Sequence, residues 1–448
     1  MTLKTLFNYF SCFQFPAVVA AFAFIIILAG CSPYAVLRKE PEQYVHGTTS
    51  SDFDEVKQAF VENFKERKEL GAACAVFYKG KNVVDLWGGY RDIKTREPWE
   101  QNTLVTVFST SKGVTAIALA LLHARGRFDY DERVAAYWPE FGRNGKQDIT
   151  IRQLLNHEAG LCALDSNLTI ARISSPDSLA PVLAAQKPHW TPHARHGYHA
   201  VSLGWYENEL IRRIDERHRT VGQYLQEELC RPLGIQFFIG LPDSVPDSQL
   251  AKLKSATLFQ ALLSRGKMPA PLKKGLMHSK SLAFRSFFNP RVRLDIFNER
   301  YALRPEVPSA NGTGTARAIA ALYTLLTDTC HAVCLDSTTR ALVYAPAVPP
   351  DSGPIDVIFG VPVNFSLGFM KPFPSFAFGA PSAAGHPGLG GSFGFADPVN
   401  HIAYAYVPNR LDLYPWNDPR DLALRKAVYR CLERINKAKR SEPMRLFP

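Results

Sequence analysis

The order of apolar and polar residues predicts strands near both ends of the chain and helices between them. Apolar residues recur every three to four positions in VKQAFVENF, between Asp52 and Arg67, which is helical spacing. Residues 73–90, ACAVFYKGKNVVDLWGGY, are β-rich on both sides of a Gly-containing turn and predict a hairpin. Further helices are predicted over residues 200–213, 220–230 and 315–327.

The last third of the chain returns to strand-like patterns. VNFSLGFMK, SFGFADP and HIAYAYVPN are β-rich, and PRDLALRKAVYRCLERINKAKR closes the chain as an amphipathic helix. Strands from distant segments then share one sheet, with helices at the two ends and a helical region inserted in the middle. The pattern therefore predicts an α/β (α+β) fold.

The first 45 residues differ from the rest. Residues 15–30, FPAVVAAFAFIIILAG, are nearly all apolar, and Lys4 is the only charged residue before Arg38. Residues 1–45 are predicted to be a cleaved signal or a retained membrane anchor, so the protein is expected to be membrane-anchored or secreted. LAGC, which ends at Cys31, resembles the cleavage box of bacterial lipoproteins and offers lipidation as a third outcome. Residues 46–440 are expected to form the main domain and 441–448 a tail.

Composition excludes disordered and fibrous classes, since 46% of the 448 residues are hydrophobic and 21% are charged. The net charge of +11 is concentrated between Lys252 and Arg304, which hold twelve Lys or Arg against two acidic residues. This basic insertion, about 245–305, suits nucleic acid or anionic lipid, but no nucleic-acid motif accompanies it. We expect a solvated insertion with little regular structure and no nucleic-acid partner. Six cysteines after Cys31 show no zinc or redox spacing, which predicts buried free thiols, with one disulfide as the alternative.

VFSTSKGVTAIALALLHARG, residues 107–126, holds the candidate chemistry. An apolar face and a Gly126 stop predict a buried helix, and Ser109 and Lys112 lie one turn apart on it. A buried lysine loses its proton more easily, as a base for a hydroxyl nucleophile must, and the helix start directs N–H groups at the serine. Taken alone, the spacing favours a helix cap over a nucleophile, because it recurs by chance: Ser264-Arg265-Gly266-Lys267 repeats it in a poor helical context.

Four segments, in the same order along the chain, resemble the conserved blocks of one enzyme family. VFSTSKG resembles the nucleophile helix of class C β-lactamases, penicillin-binding peptidases and the esterases of the same fold; ITIRQLLNHEAGL resembles the block that follows it. RHGYHAVSLGWYENELIRRI and GHPGLGGSFGFADP resemble the second and third catalytic regions. The likeness spans about residues 52–435 and is strongest for the esterase-like branch. It implies a β-lactamase/transpeptidase-like fold with an antiparallel sheet.

The resemblance also implies roles for individual residues. Ser109 would be the acylated nucleophile, and Lys112 with Tyr198 would move its protons. The backbone N–H groups of Ser109 and Leu389 would form the oxyanion hole. The residues expected to shape the substrate site are His386, Pro387, Gly388 and His199. No cofactor or metal is implied.

Two departures change the expected substrate. Lactamases of the family carry Tyr-x-Asn, whereas this chain has Tyr198-His199-Ala200 and lacks the amide that helps hold a lactam side chain. The strand lysine that attracts a β-lactam carboxylate is His386, expected to be only partly charged near neutral pH. We therefore expect a small-molecule ester or amide substrate, with β-lactamase or D-amino-acid peptidase activity as the alternative.

Three further interpretations stay open. Ser392 lies in a G-x-S-x-G motif, yet a turn and a strand follow it instead of the helix that an α/β-hydrolase elbow needs. His189, His193, His196 and His199 are close in sequence, but no cysteine or acidic ligand accompanies them. A catalytically inactive scaffold is the third. No particular oligomeric state is predicted.

Overall fold

The computed structural model describes residues 41–255, 266–327 and 332–441. The predicted N-terminal segment up to residue 40, with Cys31, and Ser264 of the repeated motif lie outside these ranges. Compactness divides the chain into Met1–Tyr44 and Val45–Pro448. The described part of the first unit is a 3-10 turn, Pro41–Tyr44, and the features below belong to the second. Among the helices of the described residues, none combines the length and the apolar character needed to span a bilayer.

Antiparallel strands build one large sheet and one small sheet. Along the large sheet the order is β1-β3-β2-β12-β11-β10-β9-β8, with β4 beside β3, and the small sheet has the order β5-β7-β6. This architecture confirms the predicted fold. The strands are β1 (Val45–Thr49), β2 (Gly71–Tyr78), β3 (Lys81–Asp92), β4 (Glu97–Pro98), β5 (Val105–Thr106), β6 (Phe237–Phe238), β7 (Thr313–Gly314), β8 (Asn364–Ser366), β9 (Phe369–Lys371), β10 (Ala384–Pro387), β11 (Phe393–Asp397) and β12 (Ile402–Pro408).

Helices cover both faces of the large sheet, and most of them lie, along the sequence, between its N-terminal strands β1–β4 and its C-terminal strands β8–β12. They are α1 (Asp54–Glu66), α2 (Thr110–Ala124), α3 (Val134–Tyr137), α4 (Ile151–Leu155), α5 (Ile170–Ile173), α6 (Pro176–Ala185), α7 (Ser202–Ile214), α8 (Val221–Leu225), α9 (Arg231–Leu233), α10 (Ala270–Leu276), α11 (Leu282–Phe287), α12 (Arg300–Leu303), α13 (Ala316–Tyr323), α14 (Ser337–Tyr344) and α15 (Pro419–Ser441).

The central strands alternate between two hydrophobic cores because successive side chains point to opposite faces of a sheet. On β2, Ala73 and Ala75 pack with α2 and α13, whereas Cys74 and Val76 pack with α1 and α15. Small residues on β2 let the helices approach the sheet closely. The first core therefore surrounds the helix that begins at Ser109.

Most predicted elements are present, and the differences have local causes. The helix predicted over 220–230 is α8 followed by a π-turn over Gln226–Cys230, and α13 continues as a 3-10 turn, Thr324–Leu326. The basic insertion is more regular than expected, since it contains α10, α11 and α12. The free thiols of Cys74, Cys162, Cys230 and Cys431 are buried, and Cys334 is disulfide-bonded.

Candidate active site

Helix α2 places Ser109 and Lys112 in the centre of the molecule. The residues from Thr110 to Leu122 are all buried, as expected for a helix that is apolar around most of its circumference. Ser109 lies at the N-cap, directly after Phe108, whose φ of 47° is unusual for a residue with a bulky side chain. Such strain clusters at functional sites, where the surrounding structure holds it in place.

The Lys112 amine lies between the nucleophile and two backbone carbonyls. Its Nζ is 3.2 Å from Ser109 Oγ, 2.6 Å from the oxygen of Ala200 and 3.0 Å from the oxygen of Ser309. A neutral amine has two N–H donors and one lone pair. If the two carbonyls accept both donors, the lone pair remains for the Ser109 hydroxyl.

Burial prepares Lys112 for this neutral state. The side chain is inaccessible to solvent, and burial lowers its pKa to about 7, while the charge of the Glu207 carboxylate opposes the shift. At neutral pH a large fraction of Lys112 is therefore the free amine that can accept a proton.

Tyr198 reaches the same serine from the other side. Its ring lies 4.9 Å from Lys112 Nζ, and its hydroxyl interacts with the Ser109 side chain, an interaction that opposes the effect of burial on the pKa of Tyr198. Burial raises the pKa of Tyr198 above that of an ordinary tyrosine, so the phenol is neutral at pH 7. The sequence left the base open between the two residues; the electrostatics favour Lys112 as the base and Tyr198 as a proton donor.

Aromatic rings hold Tyr198 in position. His157, Phe359 and Phe365 surround its ring with centroid distances of 5.1, 5.0 and 6.0 Å, and Phe287 of the basic insertion lies at 6.0 Å. Contacts of this kind restrict a ring without changing its charge. The phenol oxygen is therefore the polar end of a packed aromatic cluster.

Strand β10 supplies the opposite wall of the site. Adding a Cβ to Gly388 would place it 2.2 Å from the carbonyl oxygen of Val107 and 2.3 Å from Ser392 Oγ, so only glycine allows this approach to the start of α2. The backbone N–H groups of Ser109 and Leu389 donate to no backbone carbonyl of the described residues. Both groups are thus available for a substrate oxygen.

His386 is a neutral residue in this wall. It is fully buried, its Nδ1 lies 2.8 Å from the carbonyl of Pro387, and burial lowers its pKa to about 3. The sequence predicted a partly charged imidazole; burial removes that charge. Its ring stacks on Tyr198 at 5.9 Å. Ala200, where the lactamases have asparagine, contributes its backbone carbonyl to the site but no polar side-chain group.

His199 serves the architecture of the loop. The N–H of Leu161 donates to its Nε2 at 2.9 Å, and its Nδ1 donates to the carbonyl of Gly197 at 2.7 Å. Since both ring nitrogens are engaged, the His199 side chain has no free polar atom to offer a substrate.

The other histidines of this loop have separate partners. His189 lies 2.9 Å from the carbonyl of Ala163, and His193 pairs with Glu158 at 2.7 Å. Within the ranges that the structure describes, no group of three or more His, Cys, Asp or Glu side chains is arranged to hold a metal ion.

Ser392 is engaged in the architecture of the site. Its hydroxyl donates to the carbonyl of Val107 at 2.8 Å and lies 3.0 Å from Thr110 Oγ1, and β11 follows it instead of a helix. Ser392 therefore ties the turn between β10 and β11 to the start of α2.

Sequence reasoning missed several residues that support the site. Ser286 in the basic insertion donates to the carbonyl of Tyr198 at 2.9 Å and accepts from the N–H of Ala200 at 3.0 Å. Ser309 binds Lys112 through its backbone carbonyl, and because every residue has such a group, the pattern of side chains along the sequence gives no sign of it. Glu207 is a fully buried carboxyl group whose oxygens have no hydrogen-bond partner among the described residues, and burial raises its pKa to about 8. Its only signal in the sequence was an acidic residue on the apolar face of the amphipathic helix α7.

Comparisons with known proteins identify the family of this chain. The Beta-lactamase family profile matches residues 56–428. The chain is 32% identical to the esterase/beta-lactamase LipL of Mycobacterium tuberculosis, over 82% of this chain and 83% of that protein.

Two solved structures superimpose over most of the chain. A family VIII carboxylesterase is 34% identical with a TM-score of 0.76, covering 86% of this chain and 99% of that one. A penicillin-binding protein homologue from Caulobacter crescentus is 33% identical with a TM-score of 0.75 and the same coverage. Because the family profile matches most of the chain, the protein belongs to the β-lactamase family of serine hydrolases, and it fits the esterase-like branch.

Proposed function

We propose that this protein is a carboxylesterase that hydrolyses small esters through an acyl-enzyme on Ser109. The observation that carries the proposal is the Lys112 amine, which lies 3.2 Å from Ser109 Oγ with two carbonyls accepting its other protons. Few arrangements other than nucleophile activation make use of a buried lysine with a pKa of about 7 beside a serine.

Acylation begins when Lys112 accepts the proton of Ser109 as the oxygen attacks the ester carbonyl. The backbone N–H groups of Ser109 and Leu389 stabilise the negative charge that develops on the carbonyl oxygen. Tyr198 then donates its proton to the departing alkoxide, and the Lys112 ammonium, 4.9 Å from the Tyr198 ring, returns a proton to the tyrosinate and becomes the neutral amine again. The alcohol leaves, and the acyl group stays on Ser109.

Deacylation reverses the roles with water as the nucleophile. Lys112, neutral again, accepts a proton from the water as it attacks the acyl carbonyl, and the proton returns to Ser109 when the carboxylic acid departs. Every proton taken by one group is thereby returned, and the enzyme regains its starting state.

The walls of the site favour esters over β-lactams. Since burial keeps His386 neutral, this position offers no positive charge to a β-lactam carboxylate. Ala200 offers no side-chain amide to a lactam side chain. Similarity to the family VIII carboxylesterase supports the ester assignment.

Labelling with a fluorophosphonate followed by peptide mapping tests the nucleophile. The label is expected on Ser109 and is expected to vanish in Ser109→Ala, while Ser392→Ala, a matched loss of one buried hydroxyl, keeps it. Label on Ser392, or no label with any acyl donor, would contradict the proposal.

Substrate competition tests the ranking. A short-chain p-nitrophenyl ester is expected to have a higher kcat/KM than a chromogenic cephalosporin. If the cephalosporin is turned over faster, the two departures from the lactamase pattern do not determine specificity.

We further propose that residues 1–45 direct the protein out of the cytoplasm and attach it to a membrane. The support is the apolar run over residues 15–30, with one charge before Arg38. Fractionation of cells that express the full chain, with and without residues 1–45, tests this: the full chain is expected with the membranes or outside the cytoplasm. Recovery of both forms in the cytosol would reject it.

A further inference from the structure

The basic insertion carries an exposed surface directly behind the catalytic tyrosine. Residues 266–294 contain seven Lys or Arg and no Asp or Glu. Helices α10 and α11 pack against each other there: a Cβ on Gly275 would lie 2.7 Å from the Cβ of Ala283. Ser281 fixes the turn between them, because its hydroxyl donates to the carbonyl of Gly275 and accepts from the N–H of Phe284.

The inner side of this helix pair belongs to the active-site wall. Leu272 and Ala283 are buried in the same hydrophobic core as Tyr198. Ser286 binds the backbone on both sides of His199, and Phe287 contacts the Tyr198 ring. The outer side is therefore held in a fixed position relative to the substrate site.

The outer side combines positive charge with an exposed apolar tip. Three cations of the segment are paired, since Lys267 binds Asp412, Arg285 binds Asp165 and Arg293 binds Asp295. The other four have no carboxylate partner in the parts of the chain that the structure describes. They are Lys273, Lys274, Lys280 and Arg291.

Met277 lies at the tip of the helix pair. It is 76% exposed, compared with 72% for Val348 and 65% for Val399, and it lies three residues after Lys274. We define the basic surface as Lys273, Lys274, Met277, Lys280 and Arg291.

We propose that this basic surface docks the enzyme on an anionic lipid bilayer, with the four free cations at the headgroups and Met277 in the interface. Clustered Lys and Arg attract anionic lipids additively, and an apolar side chain at their centre inserts into the headgroup region. A nucleic acid would use the charges, but it offers no apolar layer for Met277. This inference needs neither the proposed catalysis nor the N-terminal segment.

Hydrogen exchange of the full-length protein tests the docking at the level of single segments. The probes are vesicles of phosphatidylcholine alone and vesicles with 30% phosphatidylserine. Because exchange is read for each peptide separately, attachment through residues 1–45 does not obscure the result. We expect slower exchange over residues 270–287 on the anionic vesicles only, with the protection lost in 0.5 M NaCl.

Two variants that each remove four positive charges distinguish an effect of the basic surface from an effect of the protein's net charge. In the variant, Lys273, Lys274, Lys280 and Arg291 are all replaced by Gln; the control replaces Lys57, Lys65, Lys81 and Lys426, exposed cations of other elements, by Gln. The first is expected to lose the protection, with anionic-vesicle affinity of this surface about 100-fold or more weaker. The control variant is expected to keep the protection from exchange. Ser109→Ala, which removes only the nucleophile, is expected to keep it as well.

Several results would overturn the proposal. Equal exchange on neutral and anionic vesicles would do so, as would protection that survives in the charge variant or that is lost equally in the control. Protection of the same peptide by duplex RNA or DNA, but not by vesicles, would assign the surface to nucleic acid instead. Unchanged exchange in the rest of the chain serves as the check that both variants are folded.

Discussion

The protonation of Lys112 predicts how the activity depends on pH. Its pKa is lowered to about 7 by burial, so the free amine is the minor form below pH 7 and the major form above it. If the amine is the base, kcat/KM for a soluble ester is expected to fall about tenfold for each pH unit below 7 and to level off above it. At pH 5 roughly 1% of the plateau would remain.

The nearby imidazoles do not provide this ionisation. Burial lowers the pKa values of His199 and His386 to about 3, so both are already neutral where the activity is expected to change. These imidazoles therefore do not provide a midpoint near 7. Burial raises the pKa of the Glu207 carboxyl to about 8 and that of the Asp356 carboxyl to about 7, so replacement of Lys112 itself is needed to assign the midpoint.

Replacement of Lys112 by Arg tests the assignment. A guanidinium keeps its proton above pH 12, so it cannot act as the base. We expect kcat/KM to fall by about 10²–10⁴-fold, or about 3–5 kcal/mol in the activation barrier, and the acid limb to disappear.

Lys371 provides the matched control. It is also buried with a pKa lowered to about 7, but its Nζ donates to the backbone carbonyls of Val343 and Ser382 and to no serine hydroxyl of the described residues. Lys371→Arg is expected to keep the acid limb near pH 7. The assignment fails if the limb survives in Lys112→Arg, if Lys371→Arg removes it, or if the wild-type midpoint lies below about pH 5.5.

Three further predictions concern the groups around this amine. Tyr198→Phe removes the proton donor to the leaving alkoxide, so kcat is expected to fall about 100-fold or more while fluorophosphonate still labels Ser109 slowly; an unchanged kcat would exclude the role. Gly388→Ala would set a Cβ 2.2 Å from the carbonyl of Val107, so ester hydrolysis is expected to be lost in a protein that still unfolds cooperatively, and normal turnover would show that β10 does not bound the site. Glu207→Gln removes a buried carboxyl group whose charge raises the pKa of Lys112, so the acid limb is expected to move to lower pH; a shift to higher pH would contradict this coupling.

The fold was predictable because its signals are periodic along the chain. The strand patterns at both ends and the four-residue spacing in α1 follow from the two geometries that bury one face of an element. The same reasoning missed α10 and α11. These helices have only seven and six residues, and the Pro and Lys residues of the segment interrupt the apolar spacing that would predict a helix. Their stability comes from packing Leu272 and Ala283 into the core beside Tyr198.

The sequence by itself determined that Ser109 begins a buried helix and that Lys112 lies one turn further on. Without the other segments that resemble the family, it could not distinguish a catalytic pair from a helix cap. It also did not decide whether Lys112 or Tyr198 accepts the proton of Ser109. The tertiary structure decided the chemistry, because a pKa depends on burial and on groups that are distant along the chain. The carbonyls of Ala200 and Ser309 orient the amine, the low dielectric of the core neutralises Lys112 and His386 alike, and folding brings a basic surface to the back of the same site.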